Sequence, residues 1–210
     1  MKNATKFILV ILCTFICINA NGQILIKSGL SYSSFTNIIN GQRFNTPEFK
    51  TGFHIGIFKE EAIFKNLFLE AGPRLQIKGS NFNYPYTGTI TTAYLEMPVL
   101  VKLYFDLNDD IFFYTATGAY LGVGIVGEYE VVDTYFDTIN RANVEWGENR
   151  FGLKRLDFGL SFGVGFVFKR VILGADFDRS LVNINSDTIS SLDKTRNNVF
   201  RISVGWRLVK

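Results

Sequence analysis

Residues 156–168 read LDFGLSFGVGFVF, and they show the side-chain pattern of the chain most clearly. Nearly every second residue from Leu156 to Phe168 is large and apolar, whereas the other face, from Arg155 to Gly165, carries Arg, Asp, Gly or Ser. Alternation with a period of two residues places successive side chains on opposite faces of a β-strand. The stretch therefore predicts a strand with one bulky apolar face and one face of small and polar residues.

The same alternation recurs along the chain, in segments longer than most strands of soluble proteins. We find no helical period longer than two turns and no apolar run long enough for a transmembrane helix. Frequent Phe and Gly with scarce Pro also favour β structure. The segment at residues 111–126 is apolar on both faces, so its orientation stays open. The eight predicted strands comprise residues 24–34, 50–58, 67–78, 92–105, 111–126, 154–168, 171–181 and 199–209.

The links between the predicted strands alternate in length. The short ones are residues 59–66, 106–110 and 169–170. The long ones are residues 35–49, 79–91, 127–153 and 182–198. Short turns on one side and long loops on the other are typical of outer-membrane barrels, whose long loops lie outside the cell. An even number of strands places both termini in the periplasm.

A soluble barrel and a membrane barrel differ in whether the polar faces of their strands point outward or inward. A soluble lipocalin-like barrel presents charges to water along its strands. Here the apolar faces are nearly uninterrupted, and an eight-stranded interior is only just wide enough for side chains. We therefore predict an all-β fold, an eight-stranded antiparallel up-and-down transmembrane β-barrel. Aromatic residues near strand ends are expected to form interfacial girdles, namely Phe35, Phe68, Tyr94, Tyr104, Phe105, Phe112 and Trp206.

The N-terminus has the pattern of a secretory signal peptide. Lys2 and Lys6 precede an apolar stretch at residues 7–18, which is too short to span a bilayer as a helix. Small residues at Ala20 and Gly22 predict cleavage before Gln23, with cleavage after Ala20 as the alternative. The expected organisation is a signal peptide at residues 1–22 and a barrel domain at residues 23–210, located in the outer membrane of a Gram-negative cell envelope.

Composition excludes several classes of function. Cys13 and Cys17, the two cysteines, lie in the predicted signal peptide, so the mature chain has no disulfide, Cys-ligated zinc or Cys nucleophile. Without Lys2 and Lys6 the net charge is close to zero, and no basic tract indicates a nucleic-acid partner. No cofactor and no metal site is predicted. Lipid of the outer membrane is an expected partner.

Four stretches carry a resemblance to a known family. They are residues 69–75 (LEAGPRL), 94–102 (YLEMPVLVK), 117–122 (TGAYLG) and 157–166 (DFGLSFGVGF). The chain resembles PorT-like small outer-membrane barrels, which have an OmpA-like eight-stranded domain. The resemblance implies a membrane protein that depends on the barrel-assembly machinery during biogenesis. The association of PorT itself with a secretion system does not transfer on fold alone.

Charged residues on the polar faces predict a network inside the barrel. If Lys78 lies near Thr92 in a hairpin, Arg74 lies near Glu96, and Glu70 comes diagonally close to Lys102. Both signs are present, so the network can neutralise itself, as buried charge requires. The predicted network comprises Glu70, Arg74, Glu96 and Lys102, with Arg201 near Asp178 or Asp176. Plugging of the interior is favoured over transport, because so small a barrel leaves little room for a pore.

Several motifs have an ordinary explanation. Residues 122–127 (GVGIVG) match the dinucleotide pattern, but no helix follows them. Residues 106–110 (DLNDD) begin like a calcium loop and are predicted to form a turn. Pro73 and Pro98 would lie nearly opposite each other, which predicts a bulge or kink. The acidic segment at residues 127–153 is expected to be a solvated loop, with divalent-ion or partner binding as its alternative.

The sequence leaves three hypotheses for function. The first is an integral outer-membrane barrel without catalytic activity, with a structural, assembly or surface-interaction role and an unidentified surface or periplasmic protein partner. The second is a small-molecule carrier, either lipocalin-like or with a site in the lumen. The third is an outer-membrane lipid hydrolase, which would have to use His54, the single histidine. His54 lies mid-strand on a Gly-rich face, which favours a packed lumen residue.

Overall fold

The computed structural model describes residues 22–39, 42–44, 48–83, 87–133, 138–147, 152–186 and 194–208. The predicted signal peptide, apart from Gly22, lies outside these residues. The described chain is built of antiparallel strands. They are β1 (Gln23–Ile39), β2 (Gln42–Phe44), β3 (Lys50–Ala62), β4 (Leu67–Ala71), β5 (Arg74–Phe82), β6 (Thr87–Asp106), β7 (Ile111–Asp133), β8 (Thr138–Asn143), β9 (Leu156–Phe168), β10 (Val171–Ser180) and β11 (Lys194–Arg207).

The sheet closes into a barrel of eight strands. β4 and β5 follow one another along a single barrel strand, and β2 and β8 are short additions to β1 and β7. Closure occurs at β1, where Leu30 lies opposite Ile202 of β11 on one side and opposite Phe53 of β3 on the other. A closed sheet leaves no strand edge unpaired within a bilayer. The predicted eight-stranded antiparallel up-and-down barrel is confirmed.

Apolar side chains point outward and polar side chains point inward, as the alternation predicts. On β9, Phe158, Phe162 and Phe166 are exposed, whereas Asp157 and Ser161, each next to one of them in sequence, are buried. A soluble protein has the opposite arrangement, because water favours a polar exterior. No helix among the described residues is long and apolar enough to cross a membrane.

β7 takes its orientation from its neighbours. Its inward residues are Tyr114, Ala116 and Tyr120, all buried. With 23 residues, β7 is about twice as long as the 9–11 residues that span a bilayer. The surplus pairs with the start of β6 and with β8 to form a sheet beyond the barrel, which we call the loop-side extension. The expectation of a solvated loop at residues 127–153 is therefore wrong for residues 127–133 and 138–143.

The short links are tight turns at one end of the barrel, which we call the turn side. The other end is the loop side. Asn108 accepts hydrogen bonds from the backbone N–H groups of Asp110 and Ile111 through its side-chain oxygen, so residues 107–110 form a turn, as predicted. Lys169, in the two-residue link between β9 and β10, has a positive φ of 52°.

The two prolines behave differently. Strand pairing stops between Ala71 and Arg74, so Pro73 interrupts its barrel strand, as the hypothesis of a kink requires. Pro98 remains in the ladder opposite Tyr120 of β7. The register of β6 against β7 shifts instead between Ala93 and Tyr94. On its other side, Pro98 lies at the break between the β4–β6 and β5–β6 ladders, so the predicted irregularity is confirmed at Pro73 and, toward β4 and β5, at Pro98.

The aromatic girdle is only partly as predicted. Phe105 and Trp206 are exposed on the outer surface, at 43% and 49%. Phe35, Tyr94 and Tyr104 are buried instead. Phe68 and Phe112 pack against a group of buried apolar residues that includes Phe58 and Tyr104. The prediction is wrong for these five because it used nearness to a strand end, whereas the alternation along each strand decides which face a side chain takes.

Candidate functional site: the barrel lumen

Charged side chains of both signs fill the lumen, and we call them the lumen charge network. Each one lies on the inward face of its strand, and most have at least one apolar neighbour in sequence that faces outward. Arg201, for example, lies between the exposed Phe200 and Ile202 and is itself only 1% exposed. The ion-paired members are the cations Lys27, Arg74, Lys78, Lys102, Arg201 and Arg207 and the carboxylates Glu60, Glu70, Glu96, Asp157 and Asp178.

The turn-side cluster of this network is centred on Lys102. Its ammonium lies 2.6 Å from a carboxylate oxygen of Glu70 and 2.8 Å from one of Glu60. Glu70 is also 2.6 Å from Lys27, and Glu60 is 2.9 Å from Arg207. Each of the two buried carboxylates is therefore shared between two cations.

The loop-side cluster is centred on Asp178. One oxygen of Asp178 accepts a hydrogen bond from Arg74 at 2.7 Å, and the other accepts one from Arg201 at 2.8 Å. Arg74 also donates to Glu96 at 2.6 Å. Charge-assisted hydrogen bonds of this kind are among the strongest in proteins. The hydrogen bond from Arg74 to Asp178 joins β5 and β10, which are not neighbours in the sheet.

Lys78 completes the loop-side cluster. Its ammonium lies 2.8 Å from Glu96 and 2.5 Å from Asp157, on β6 and β9 respectively. The ammonium is also 4.0 Å from the centre of the Tyr94 ring, within the range of a cation–π contact. Asp157 accepts a further hydrogen bond from the side-chain amide of Asn197 at 2.8 Å. This part of the network therefore reaches across the lumen from β5 to β9.

Asp176 lies between the two clusters. It has no ion pair within 4 Å among the described residues, and its nearest polar contact is the Ser203 hydroxyl at 3.4 Å. Counting Asp176, the described lumen carries equal numbers of cations and carboxylates. A cavity of about 20 Å³ lies in the same layer, with Lys27, His54 and Arg201 in its wall. Such a volume holds about one water molecule.

The predicted site residues all face the lumen. Arg74 lies directly opposite Glu96 in the β5–β6 register, and Lys78 lies opposite Thr92. Glu70 meets Lys102, and Arg201 meets Asp178 rather than Asp176. The prediction left out five members of the network, which are Lys27, Glu60, Lys78, Asp157 and Arg207. The polar-face alternation marks four of them, and Glu60 was missed because it was assigned to a link.

Apolar loop residues close the loop-side end of the lumen. Phe35, Val144, Leu153 and Ile184 form a buried cluster, against which Trp146 packs. We call this cluster with Trp146 the cap.

The Trp146 ring joins the cap to the barrel wall. It meets Tyr94 edge-on at 5.7 Å between ring centres, and the Arg155 guanidinium lies 5.6 Å from its centre. Arg155 is exposed, so the expectation that it faces the lumen is wrong. β9 begins only at Leu156, and the alternation no longer sets the direction of the residue before it.

His54 is buried in the lumen. Its Nε2 atom lies 3.2 Å from the Ser203 hydroxyl, and Nδ1 has no hydrogen-bond partner among the described residues. In a hydrolase triad the carboxylate orients the histidine and the histidine contacts the serine. Here the carboxylate of Asp176 contacts Ser203 instead. The arrangement therefore lacks the carboxylate–histidine contact on which such chemistry depends.

The other motifs also lie in ordinary structure. Residues 122–127 belong to β7, so no strand-to-helix turn is present to bind a dinucleotide. Among the described residues, no group of three or more His, Cys, Asp or Glu side chains is placed to hold a metal ion.

A closed antiparallel barrel with an apolar exterior and a charged interior is a transmembrane β-barrel. The chain belongs to the family described as outer membrane protein beta-barrel domain, whose model matches residues 20–186. It is thus an outer-membrane β-barrel protein. No curated protein in the comparison matches the chain.

Solved structures of small outer-membrane proteins are similar to the chain. Ail of Yersinia pestis, solved with the heparin analogue sucrose octasulfate, is 14% identical; the match covers 89% of this chain and 99% of Ail, with a TM-score of 0.43. OprG of Pseudomonas aeruginosa is 13% identical over 90% of this chain and 97% of OprG, with a TM-score of 0.48. Neisserial surface protein A is 10% identical; the match covers 88% of this chain and 97% of that protein, with a TM-score of 0.44.

Proposed function

We propose that the protein is a non-catalytic outer-membrane barrel with a closed lumen, which acts through its loop-side surface in a structural or surface-interaction role. The ion-paired lumen carries this proposal. A conducting barrel needs a continuous aqueous path, whereas here charges on strands that are not neighbours in the sheet meet at 2.5–2.9 Å in both clusters. The cap closes the loop-side end above them.

Cavity sizes argue against a carrier in the lumen. Sites for small molecules usually have volumes of about 300–1,000 Å³. The cavity between the two clusters has about 20 Å³. A larger recess of about 440 Å³ opens at the turn side, beside Asp110, Phe112 and Arg170. Arg207, which lines this recess, is ion-paired with Glu60 of the turn-side cluster.

The loop-side extension supports a role at the cell surface. β8 is exposed along its whole length, and its partner on β7 reaches the same distance from the barrel. Arg141 of β8 pairs with Glu130 at 3.1 Å, so the hairpin is ordered by contacts across the two strands. Ile139 is 55% exposed on this hairpin. Loops and extensions on a rigid scaffold commonly carry binding functions.

The proposal includes export by the predicted signal peptide at residues 1–22 and assembly by the barrel-assembly machinery. Both rest on the sequence pattern and on the resemblance to PorT-like barrels. An outer-membrane protein must cross the inner membrane before it folds, which fits a cleaved leader.

Epitope insertion tests the surface role. A tag between Asp133 and Thr138, in the β7–β8 hairpin, should bind antibody on intact cells. A matched tag between Leu107 and Asp110, in a turn-side turn, should bind antibody only after the outer membrane is permeabilised. Labelling of the turn-side tag on intact cells would overturn the proposed orientation.

Conductance tests the closed lumen. The full-length mature protein in planar bilayers is expected to show no ion-channel openings, and a reconstituted general porin serves as the positive control. Regular openings that persist in independent preparations would show an open lumen and would reject the proposal.

A further inference from the structure

The outer surface of β10 and β11 changes from apolar to basic near the loop side. Phe177 and Phe200 lie opposite each other and both face outward. Two residues further toward the loops, Arg179 follows on β10, opposite Asn198 of β11. Arg196 comes next on the outward face of β11. Arg179 and Arg196 are therefore diagonal neighbours, whose Cα atoms lie about 7–8 Å apart.

Neither arginine has an ion-pair partner among the described residues. Arg179 is exposed, and the Nε atom of Arg196 is buried with no hydrogen-bond partner in the described part of the chain. Lys194, two residues before Arg196 on the same face, is also exposed and has no ion pair with any residue that the structure describes. Like charges at this spacing repel each other unless an anion lies between them. The two guanidinium groups thus form a positive site that the described protein does not neutralise.

The two arginines lie at the depth of the outer-leaflet headgroups. From Trp206, near the turn-side end of β11, to Arg196 the strand runs ten residues, or roughly 34 Å. At a tilt of about 40° this corresponds to roughly 26 Å along the membrane normal, close to the apolar band of about 25 Å. Arg196 therefore reaches the outer interface, and Arg179 lies slightly below it, where its side chain extends toward the headgroups.

The positive site is confined to one sector of the barrel. On β3 and β6, the outward residues near the loop side include Thr51, Thr89 and Thr91, which carry no charge. A barrel that is only attracted to an anionic membrane surface does not need its cations gathered on two adjacent strands. Below the arginines, a row of outward phenylalanines crosses three strands and comprises Phe162, Phe177 and Phe200. The sector thus offers a cationic upper part and an apolar lower part.

We propose that this sector binds a phosphorylated lipid of the outer leaflet. Its phosphate groups bridge Arg179 and Arg196, and its acyl chains lie on the phenylalanine row. Guanidinium groups suit this ligand because their planar fork matches phosphate oxygens. Lys194 lies farther out and adds charge without that geometry.

Lipid-dependent thermal stability tests the site. The folded mature protein in a neutral detergent is titrated with diphosphoryl lipid A, and unfolding is followed by the loss of the heat-modifiable gel band. The lipid is expected to raise the melting temperature. In R179Q/R196Q the concentration needed for half of the shift should rise at least about tenfold, because hydrogen bonds to charged groups are lost.

Matched variants separate the site from general charge. K65Q/R170Q removes two turn-side cations that likewise have no ion pair among the described residues, and its titration should equal that of the wild type. R179K/R196K keeps the charge but not the fork, and should lose part of the affinity. An equal effect of K65Q/R170Q and R179Q/R196Q would overturn the proposal, and so would an unchanged titration of R179Q/R196Q.

The source of the phosphate is tested with two further probes. Inorganic phosphate at the same concentrations should leave the melting temperature unchanged, because it lacks the acyl chains. Dephosphorylated lipid A should give a shift no larger than that seen with R179Q/R196Q. A full shift with inorganic phosphate would identify a free-anion site, and a full shift with the dephosphorylated lipid would show that the arginines do not select the ligand.

Discussion

Substitution of Asp178 by Asn should destabilise the barrel strongly. Asp178 accepts hydrogen bonds from Arg74 at 2.7 Å and from Arg201 at 2.8 Å, and all three are almost completely buried. Arg74 keeps Glu96 in the variant, whereas Arg201 loses its only ion pair among the described residues. Leaving one buried charge unpaired costs about 3–5 kcal/mol. We therefore expect a loss of this size in the free energy of unfolding.

Urea unfolding in lipid vesicles measures this loss. The fraction folded is read from gel mobility without boiling and from the fluorescence of Trp146 and Trp206. With a slope of about 2 kcal/mol per molar urea, a loss of about 4 kcal/mol lowers the midpoint by about 2 M.

A double variant shows whether the unpaired charge is the cause. In D178L/R201M both partners become apolar and of similar size, which often restores the stability lost when one partner alone is removed. We expect most of the lost free energy to return. The reasoning would be refuted by a D178N midpoint within about 0.5 M of the wild type. It would be refuted equally by a double variant that is less stable than D178N.

Three further predictions use the same unfolding assay. K102M should lose about 3–5 kcal/mol because two buried carboxylates lose their shared cation, whereas R141Q, at an exposed ion pair, should lose less than about 1 kcal/mol. W146A should lose about 3–5 kcal/mol and make the loop side more sensitive to protease, because the cap loses its largest ring. G165V should lower the folded yield, because a Cβ atom there meets the Tyr114 ring and the backbone of β10, while the neighbouring V164I should fold normally.

The alternation of side chains predicted the faces of seven strands and three pairs on adjacent strands, which are Arg74–Glu96, Glu70–Lys102 and Arg201–Asp178. Arg74 meets Glu96 because both lie on adjacent strands, where the hairpin register is a local property. β7 could not be oriented in this way, since both of its faces are apolar. Its buried residues include Tyr114 and Tyr120. A sequence pattern does not distinguish these aromatic rings, which face the lumen, from aromatic rings that face lipid.

Pairs that span the lumen could not be predicted from the sequence. Lys78 on β5 meets Asp157 on β9, and Arg74 on β5 meets Asp178 on β10. These strands are separated by others in the sheet. Which inward residues share a level depends on the tilt and shear of the closed barrel, and these arise from all eight registers together. Sequence spacing within one hairpin contains no information on them.

The charged lumen makes one strand register much more favourable than the others, which an apolar lumen would not do. A slip of one residue exchanges the two faces of a strand. On β11 such a slip would move Arg201 from the ion pair with Asp178 into lipid, at a cost of about 2–4 kcal/mol at the bilayer midplane, and would leave Asp178 without that partner. β7 lacks this penalty along much of its length, but it pairs on both sides with strands that have it, β6 and β9. Charges on those neighbours therefore fix the register of the one strand whose own sequence is ambiguous.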